Sequence, residues 1–313
     1  MSRRPLAALL PLLVLTGGCG FIGSGDDPLV IAFRGGNGYW PENSRLALAN
    51  AVLQPWDGIH VDLAVTADEV AVLYRGAYLS PELCTGVDPN DPTGEQAIGE
   101  EEVRIQDYTF EELQDNYRCG GIADKDHPDA QLLSDGLMPF DEALDHFVSN
   151  PGFFIQLNVV RDEVNTPDPE ILARAILDPW FNAAPENRWR ISAPDNDTIE
   201  AFDARAAALG RAGELETSLT WPGYWPDGVP AGDVVGAELL LSQGLIDPVG
   251  AARGANADGV AIPYPMVDRE LARKVRAADL NLQVMEVQRR SVMRTFERWP
   301  VESIVSSSPE PTP

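Results

Sequence analysis

Arg34 is the side chain best placed for charge chemistry in the first third of the chain. It follows the apolar run 29–33 and precedes Gly35-Gly36, so it stands where a strand gives way to a loop. Its planar guanidinium fork fits a phosphate, and fits equally a carboxylate of this chain such as Glu42 or Asp62. His60 and Asp62 lie two apart on the run 59–63. Residues i and i+2 share one face of a strand, so both side chains project the same way. An imidazole beside a carboxylate can act as a general base, or it can be a buried, hydrogen-bonded filler. Further on, Trp221, Tyr224 and Trp225 stand with Pro222 and Pro226 at a strand end. Their rings could stack on a sugar or a choline-like head group, or simply pack as a loop. The remaining histidines carry less, because His146 falls on a helix face and His127 lies in a loop beside Pro128. No G-x-S-x-G, P-loop, H-E-x-x-H or C-x-x-C occurs, which removes the usual nucleophile, nucleotide, zinc-protease and dithiol schemes.

The elements that must hold these side chains begin with a strand–loop–helix–strand unit. Ser44, after Pro41-Glu42-Asn43, is a good N-cap for a helix that ends near residues 56–58. Strand 59–65 is separated from strand 70–74 by only four residues, too few for a parallel crossover, so an antiparallel hairpin is expected. Residues 76–136 read as a polar insertion with little core of its own, rich in Pro, Gly, Asp and Glu. It contains a helix opened by a Thr109–Glu112 capping box and a loop over 118–136. A helix with Pro139 at its first position follows.

From residue 153 the alternation is plain. Strand-like runs at 153–159, 189–193, 216–221, 237–242, 259–263, 282–287 and 301–305 alternate with helix-like runs at 168–182, 195–210, 246–255, 268–278 and 290–298. Such alternation implies a parallel sheet, and with the two early strands it suits an α/β fold of the (β/α)8 TIM-barrel type. The hairpin and the insertion make that barrel slightly irregular. In such barrels sites form at the C-terminal ends of the strands, where Arg34 and Asp62 fall.

The chain has 313 residues, 44% of them hydrophobic, enough for one large domain with a sizeable core. Its formal net charge of −26 argues against nucleic acid or an anionic membrane face as the main partner. The blander reading of that charge is a well-hydrated surface. Arg3 and Arg4, the apolar run 6–15 and Thr16-Gly17-Gly18-Cys19 resemble a bacterial lipoprotein signal. That reading makes 1–18 a signal peptide, Cys19 a lipidation site, 19–28 a tether, 29–309 the barrel and 310–313 a disordered tail, the frayed stretch beginning near Ser306. It puts the chain on the bacterial cell envelope, with the membrane as partner through the lipid on Cys19. In an oxidising compartment the remaining pair, Cys84 and Cys119, suggests a disulfide worth roughly 3–4 kcal/mol by loop entropy, the alternative being two free thiols.

Arg34-Gly35, Pro41-Glu42-Asn43, Gly58 and Asp62 resemble the opening of the glycerophosphodiester phosphodiesterase family, I-A-H-R-G-G…P-E-N-T and then G-I-E-x-D. Asp258-Gly259-Val260 and the runs 282–287 and 301–305 stand at the places of its last three strands, so the resemblance spans about 29–309. It implies a TIM-type barrel. It also implies phosphodiester hydrolysis by two histidines, an arginine and a divalent cation held by carboxylates.

The same resemblance implies that most of those groups are replaced here. Phe33 stands for the first histidine, and Arg75, or Tyr74 on a shifted alignment, for the second. His60 and Gln156 stand for two metal-binding glutamates, Asn158 follows where the family has a lysine, and Ser306-Ser307-Ser308 replace an aspartate. The implied cage is reduced to Asp62 with His60 and Gln156, and histidine is a poor ligand for Ca²⁺ or Mg²⁺.

Three functions remain open on the sequence. The first is a catalytically inactive relative that binds a phosphodiester or head-group ligand, or a partner, through Arg34, Arg75, His60, Asp62, Gln156 and Trp221, with no cofactor. The second is a divergent but active phosphoric diester hydrolase of lipid metabolism, with Arg34, His60 and Asp62 catalytic and Ca²⁺ or Mg²⁺ bound. The third is a surface scaffold whose pocket Phe33 closes.

Overall fold

The structure, a computed structural model, describes residues 27–88, 91–119, 136–220 and 247–308. In chain order the elements are β1 (Leu29–Ala32), α1 (Arg45–Ala51), β2 (Gly58–Val65), β3 (Ala71–Leu73), β4 (Cys84–Asp88), β5 (Asp91–Gln96), α2 (Phe110–Asn116) and β6 (Tyr117–Cys119). Then come β7 (Met138–Pro139), α3 (Phe140–Val148), β8 (Phe154–Val159), α4 (Pro169–Ala183), β9 (Trp189–Ala193), α5 (Asn196–Ala208) and β10 (Thr217–Thr220). The last are α6 (Pro248–Gly254), β11 (Gly259–Pro263), α7 (Arg269–Ala277), β12 (Asn281–Met285), α8 (Arg290–Phe296) and β13 (Ser303–Ser306).

Eight of the strands pair in parallel in the order β1-β2-β8-β9-β10-β11-β12-β13, and β13 returns to β1, so the wall closes. This is the expected (β/α)8 barrel. β10 bonds directly to β11, Ser218 opposite Gly259. The wall is therefore complete without the run 237–242, which lies outside the described residues. Ser306, expected at the start of a frayed tail, is instead the fully buried last residue of β13.

Local chemistry explains the ends of the elements. The Ser44 hydroxyl accepts from the Ala47 amide at 3.1 Å and donates to the Pro41 carbonyl at 2.6 Å, capping α1. Asp195 and Asp268 cap α5 and α7 in the same way. The capping box on α2 is present, Thr109 and Glu112 exchanging bonds of 2.8 and 3.3 Å. Pro139 serves as the N-cap of α3 rather than its first residue, because it still pairs with β3.

β2 and β3 form the predicted antiparallel hairpin, Leu63 opposite Leu73, with the Thr66 hydroxyl closing its turn. The insertion departs from expectation, because it does have a core. Tyr74, Leu79, Val103, Ile105, Leu113 and Leu137 pack on Ala64 and Val72 of the hairpin. The start of the expected 118–136 loop is β6, which pairs with β4, and Cys84 directly faces Cys119 in a disulfide.

The side chains that point out of the wall pack under the helices in two large apolar clusters. The barrel interior is different. It holds a small apolar group, Ile31, Phe33, Phe154, Ala261, Met285 and Val305, among buried polar residues. These polar residues include His60, Gln156, Arg190, Ser192, Ser218, Gln283 and Ser303.

Candidate functional site

The mouth of the barrel is built on the turn after β1. Gly35 has φ +77, and a Cβ there would lie 2.8 Å from the Cβ of Ala47, so α1 can close on β1 only over a glycine. Arg34 itself is left-handed, φ 53, which costs a non-glycine residue roughly 1–2 kcal/mol. Ion pairs offset that strain. Arg34 Nε donates to Asp62 Oδ2 at 2.7 Å and Nη1 to Glu42 Oε2 at 3.0 Å. Of the two partners considered from the sequence, Arg34 takes both.

Asp62 is almost wholly enclosed. Its Oδ2 also accepts from Asn43 Nδ2 at 3.1 Å, and its Oδ1 from Asn158 Nδ2 at 2.7 Å. The Asp62 amide in turn donates to Asn43 Oδ1 at 3.0 Å. Burial pushes the Asp62 carboxyl up. The Arg34 guanidinium, His60 and the two asparagine amides outweigh burial and hold it below the ordinary carboxylate range. Glu42 is shared with Arg75, whose Nε stands 3.4 Å away and whose Nη2 reaches Glu82 at 3.1 Å. The mouth is thus a chain of alternating charges: Asp62, Arg34, Glu42, Arg75, Glu82.

His60 lies one layer deeper and is fully buried, its ring 5.0 Å from that of Phe33. Neither ring nitrogen has a hydrogen-bond partner among the described residues. Its burial suits the filler reading, but without the hydrogen bonds that reading assumed. Burial pushes its pKa down to about 4, against the pull of Asp62 and with the repulsion of Arg34, so the ring is neutral near pH 7. Unfolded, it takes up a proton near 6.5. Between those values the unfolded chain holds the proton and the barrel does not. This group's contribution is therefore complete above about pH 6.5 and is lost as the pH falls toward 4, a change of about 3 kcal/mol. Urea unfolding of the wild type and of His60→Leu across that range should show the wild type losing stability more steeply. Equal slopes would mean the imidazole is not held neutral.

Gln156 faces His60 in register, but its amide is used elsewhere. It donates to the Ser192 hydroxyl at 2.7 Å and exchanges bonds with Gln283, which donates to Ser303 at 3.1 Å. At the level of Asp62, β8 presents Asn158 instead. Tyr74, one of the two positions considered for the second family histidine, points into the insertion. Its hydroxyl accepts from the Ser80 amide at 2.6 Å, and burial pushes its pKa up to about 12. The C-terminal serines bond within the chain. Ser306 donates to the Val287 carbonyl, and Ser308 and Ser307 tie down Tyr39 and Gly38 of the loop across the mouth.

The structure therefore brings together Arg34, Asp62 and Arg75, and leaves His60 and Gln156 below them. Trp221 and its neighbours, His127 and Cys19 lie outside the described residues. Sequence reasoning missed the bracing role of Asn43. Its signal was the Pro-Glu-Asn motif, in which an asparagine side chain offers both a donor and an acceptor to the next strand.

A hard divalent cation does not fit this set of donors. It needs several oxygens. Both oxygens of Asp62 already take nitrogen donors, one from a guanidinium, and Gln156 is turned into its own network. No group of three or more His, Cys, Asp or Glu that could hold a metal ion occurs among the described residues.

Three comparisons bear on this geometry. Curated relatives include the uncharacterized protein Rv2277c of Mycobacterium tuberculosis, 38% identical over 103 residues, which are 31% of this chain and 32% of that one. The chain thus spans about a third of the length of the curated relatives it matches. Among solved structures, a Silicibacter pomeroyi protein assigned to the glycerophosphoryl diester phosphodiesterases superposes with a TM-score of 0.73 at 18% identity, over 90% of each chain. An Oleispira antarctica phosphodiesterase, solved with its product sn-glycerol-3-phosphate, gives 0.63 at 16% identity, over 90% of this chain and 94% of that one. At such identities these two speak for the fold. The glycerophosphoryl diester phosphodiesterase family matches residues 34–310, nearly all of the barrel. By that match and by the closed barrel it describes, this chain belongs to the glycerophosphoryl diester phosphodiesterase family.

Proposed function

We propose that this chain is a catalytically silent member of its family, held at the bacterial envelope through Cys19, and that its barrel mouth binds a phosphodiester or head-group anion rather than cleaving it. One observation carries the reading. The guanidinium of Arg34 lies on Asp62, the one carboxylate left from the implied metal set, so a fixed organic cation takes the position that a divalent ion would need. The groups standing where the resemblance implies proton carriers are poor ones. Phe33 can neither give nor take a proton, and His60 is buried and neutral beside it. Arg34 and Arg75 keep about a fifth and a third of their side chains exposed, which leaves guanidinium edge for an anion.

The test is a paired assay. Incubated with glycerophosphodiesters and Ca²⁺, Mg²⁺, Mn²⁺ or Zn²⁺, the protein should show no turnover. Sn-glycerol-3-phosphate should raise its melting temperature, and Arg34→Ala should abolish that rise. Turnover that disappears in His60→Ala or Asp62→Ala would favour the divergent hydrolase instead. No thermal shift with any phosphate ester would favour a scaffold whose pocket is shut.

A further inference from the structure

The net charge of −26 conceals an uneven distribution. Nine of the chain's 23 Lys and Arg residues lie between positions 253 and 298, against six of its 49 Asp and Glu. Pairing separates this segment further. Among the described residues outside it, every arginine bonds an oxygen, most of them a carboxylate: Arg174 holds Glu69, for example, and Arg205 holds Asp178. Inside it, the side chains of Arg269, Arg273, Arg289, Arg290, Arg294 and Arg298 make no hydrogen bond or ion pair to any described residue, and all six are exposed. In a chain with two acids for every base, six such guanidiniums gathered in one region call for a partner.

Their spacing places them on one flank. Arg269 and Arg273 are four apart on α7, opposite the face buried by Leu271, Ala272 and Val275. Arg290 and Arg294 are four apart on α8, with Arg298 a turn further on, opposite Met293 and Phe296. β11, β12 and β13 are neighbours in the wall, so the helices between them are neighbours on the outer ring. Like charges at i,i+4 disfavour a helix by a few tenths of a kcal/mol per pair, and of the four only Arg294, in the last turn of α8, is favoured by the helix dipole.

We propose that the α7–α8 flank is a docking surface for anionic phospholipid. Clusters of four to eight basic residues on outer helix faces suit negatively charged head groups, which need only charge and no fitted cavity. A protein partner would need an apolar centre, and the exposed large apolar side chains, Tyr39, Leu53, Val148, Val164 and Leu209, all lie outside these helices. Within the flank itself the nine bases outnumber the six acids, and one of those acids, Glu270, already pairs with Lys274. Both helices begin at the C-terminal ends of barrel strands, so the stripes run from the mouth downward. Docking there lays the barrel on its side, with its mouth at the level of the head groups. The inference does not depend on whether the mouth is silent.

Vesicle co-sedimentation tests it. The full chain carrying Cys19→Ala is used, so that no acyl anchor contributes, and binding to pure phosphatidylcholine sets the baseline. With about a third of the lipid replaced by phosphatidylglycerol, binding should rise well above that baseline and fall again with added salt. Replacing Arg269, Arg273, Arg290 and Arg294 by Gln should weaken the anionic-vesicle binding about fivefold per arginine, several hundredfold in all. The four lysine replacements should keep it, and Arg174→Gln with Arg211→Gln should leave it unchanged. Equal binding to both vesicle types, or a four-Gln variant that binds like the parent, overturns the proposal. So does a salt-sensitive dimer, formed without lipid and lost in the four-Gln variant, which would assign the flank to a second copy of the chain.

Discussion

Replacing Arg190 by Ala should lower the unfolding free energy by about 4 kcal/mol and the melting temperature by about 10 °C. Arg190 is on β9 at the floor of the barrel and is completely buried. Its Nη2 bonds Glu216, just ahead of β10, and reaches Glu302, just ahead of β13, at 2.7 Å. Its Cζ stands 5.4 Å from the ring centre of Phe154. Burial alone would lower its pKa, but Glu302 and Glu216 more than reverse this and hold the guanidinium charged. Among the described residues, alanine leaves the two glutamates bonded to Asn281 and Arg188 but without their shared cation, and opens a void under Phe154. The triple change Arg190→Met, Glu216→Leu, Glu302→Leu should recover most of the loss, because an apolar replacement of a whole buried ion group is often neutral or better. Thermal and urea unfolding of both variants decide it. If Arg190→Ala alone is near neutral, the triad is not holding the floor.

The second large effect is the creation of metal dependence by two substitutions. The wild-type melting temperature should be the same in EDTA and in excess Ca²⁺ or Mg²⁺, because Arg34 and two asparagines already satisfy Asp62. In the double variant His60→Glu, Gln156→Glu, three carboxylates would converge inside the barrel. Without a cation, two buried and unpaired carboxylates should cost several kcal/mol, partly relieved by taking up protons. With a cation at about a hundred times its dissociation constant, about 2.7 kcal/mol should return. Calorimetry should record heat for the double variant and none for the wild type. A wild-type melting temperature that rises with Ca²⁺, and no longer does so in Asp62→Asn, would show that the guanidinium yields to an ion, and the silent reading would fail.

Much of the framework was legible because it is local. The four-residue gap between 65 and 70 allowed nothing but a hairpin, and β2 and β3 form one. The capping motifs at Ser44 and Thr109 mark where α1 and α2 start. Cys84 and Cys119 were paired on compartment and count, and β4 and β6 bring them face to face. What failed locally failed for one reason. The tail from Ser306 has the composition of a frayed end, yet Ser306 is the buried last residue of β13. The insertion has a polar composition, yet its few apolar residues find a core on the outer face of the hairpin. Composition counts residues, but it does not say which of them a distant element will cover.

The sequence by itself determined the barrel and its place in a phosphodiesterase family, because strand order and residue identity are written along the chain. Only the tertiary structure decided what the surviving groups do. That Arg34 rests on Asp62, that Arg190 holds two glutamates, and that neither His60 nor six of the arginines find a partner among the described residues all depend on which strands and helices become neighbours. Coulomb attraction and hydrogen bonding act over a few ångströms of space, and the residues they join here stand from eight to more than a hundred positions apart.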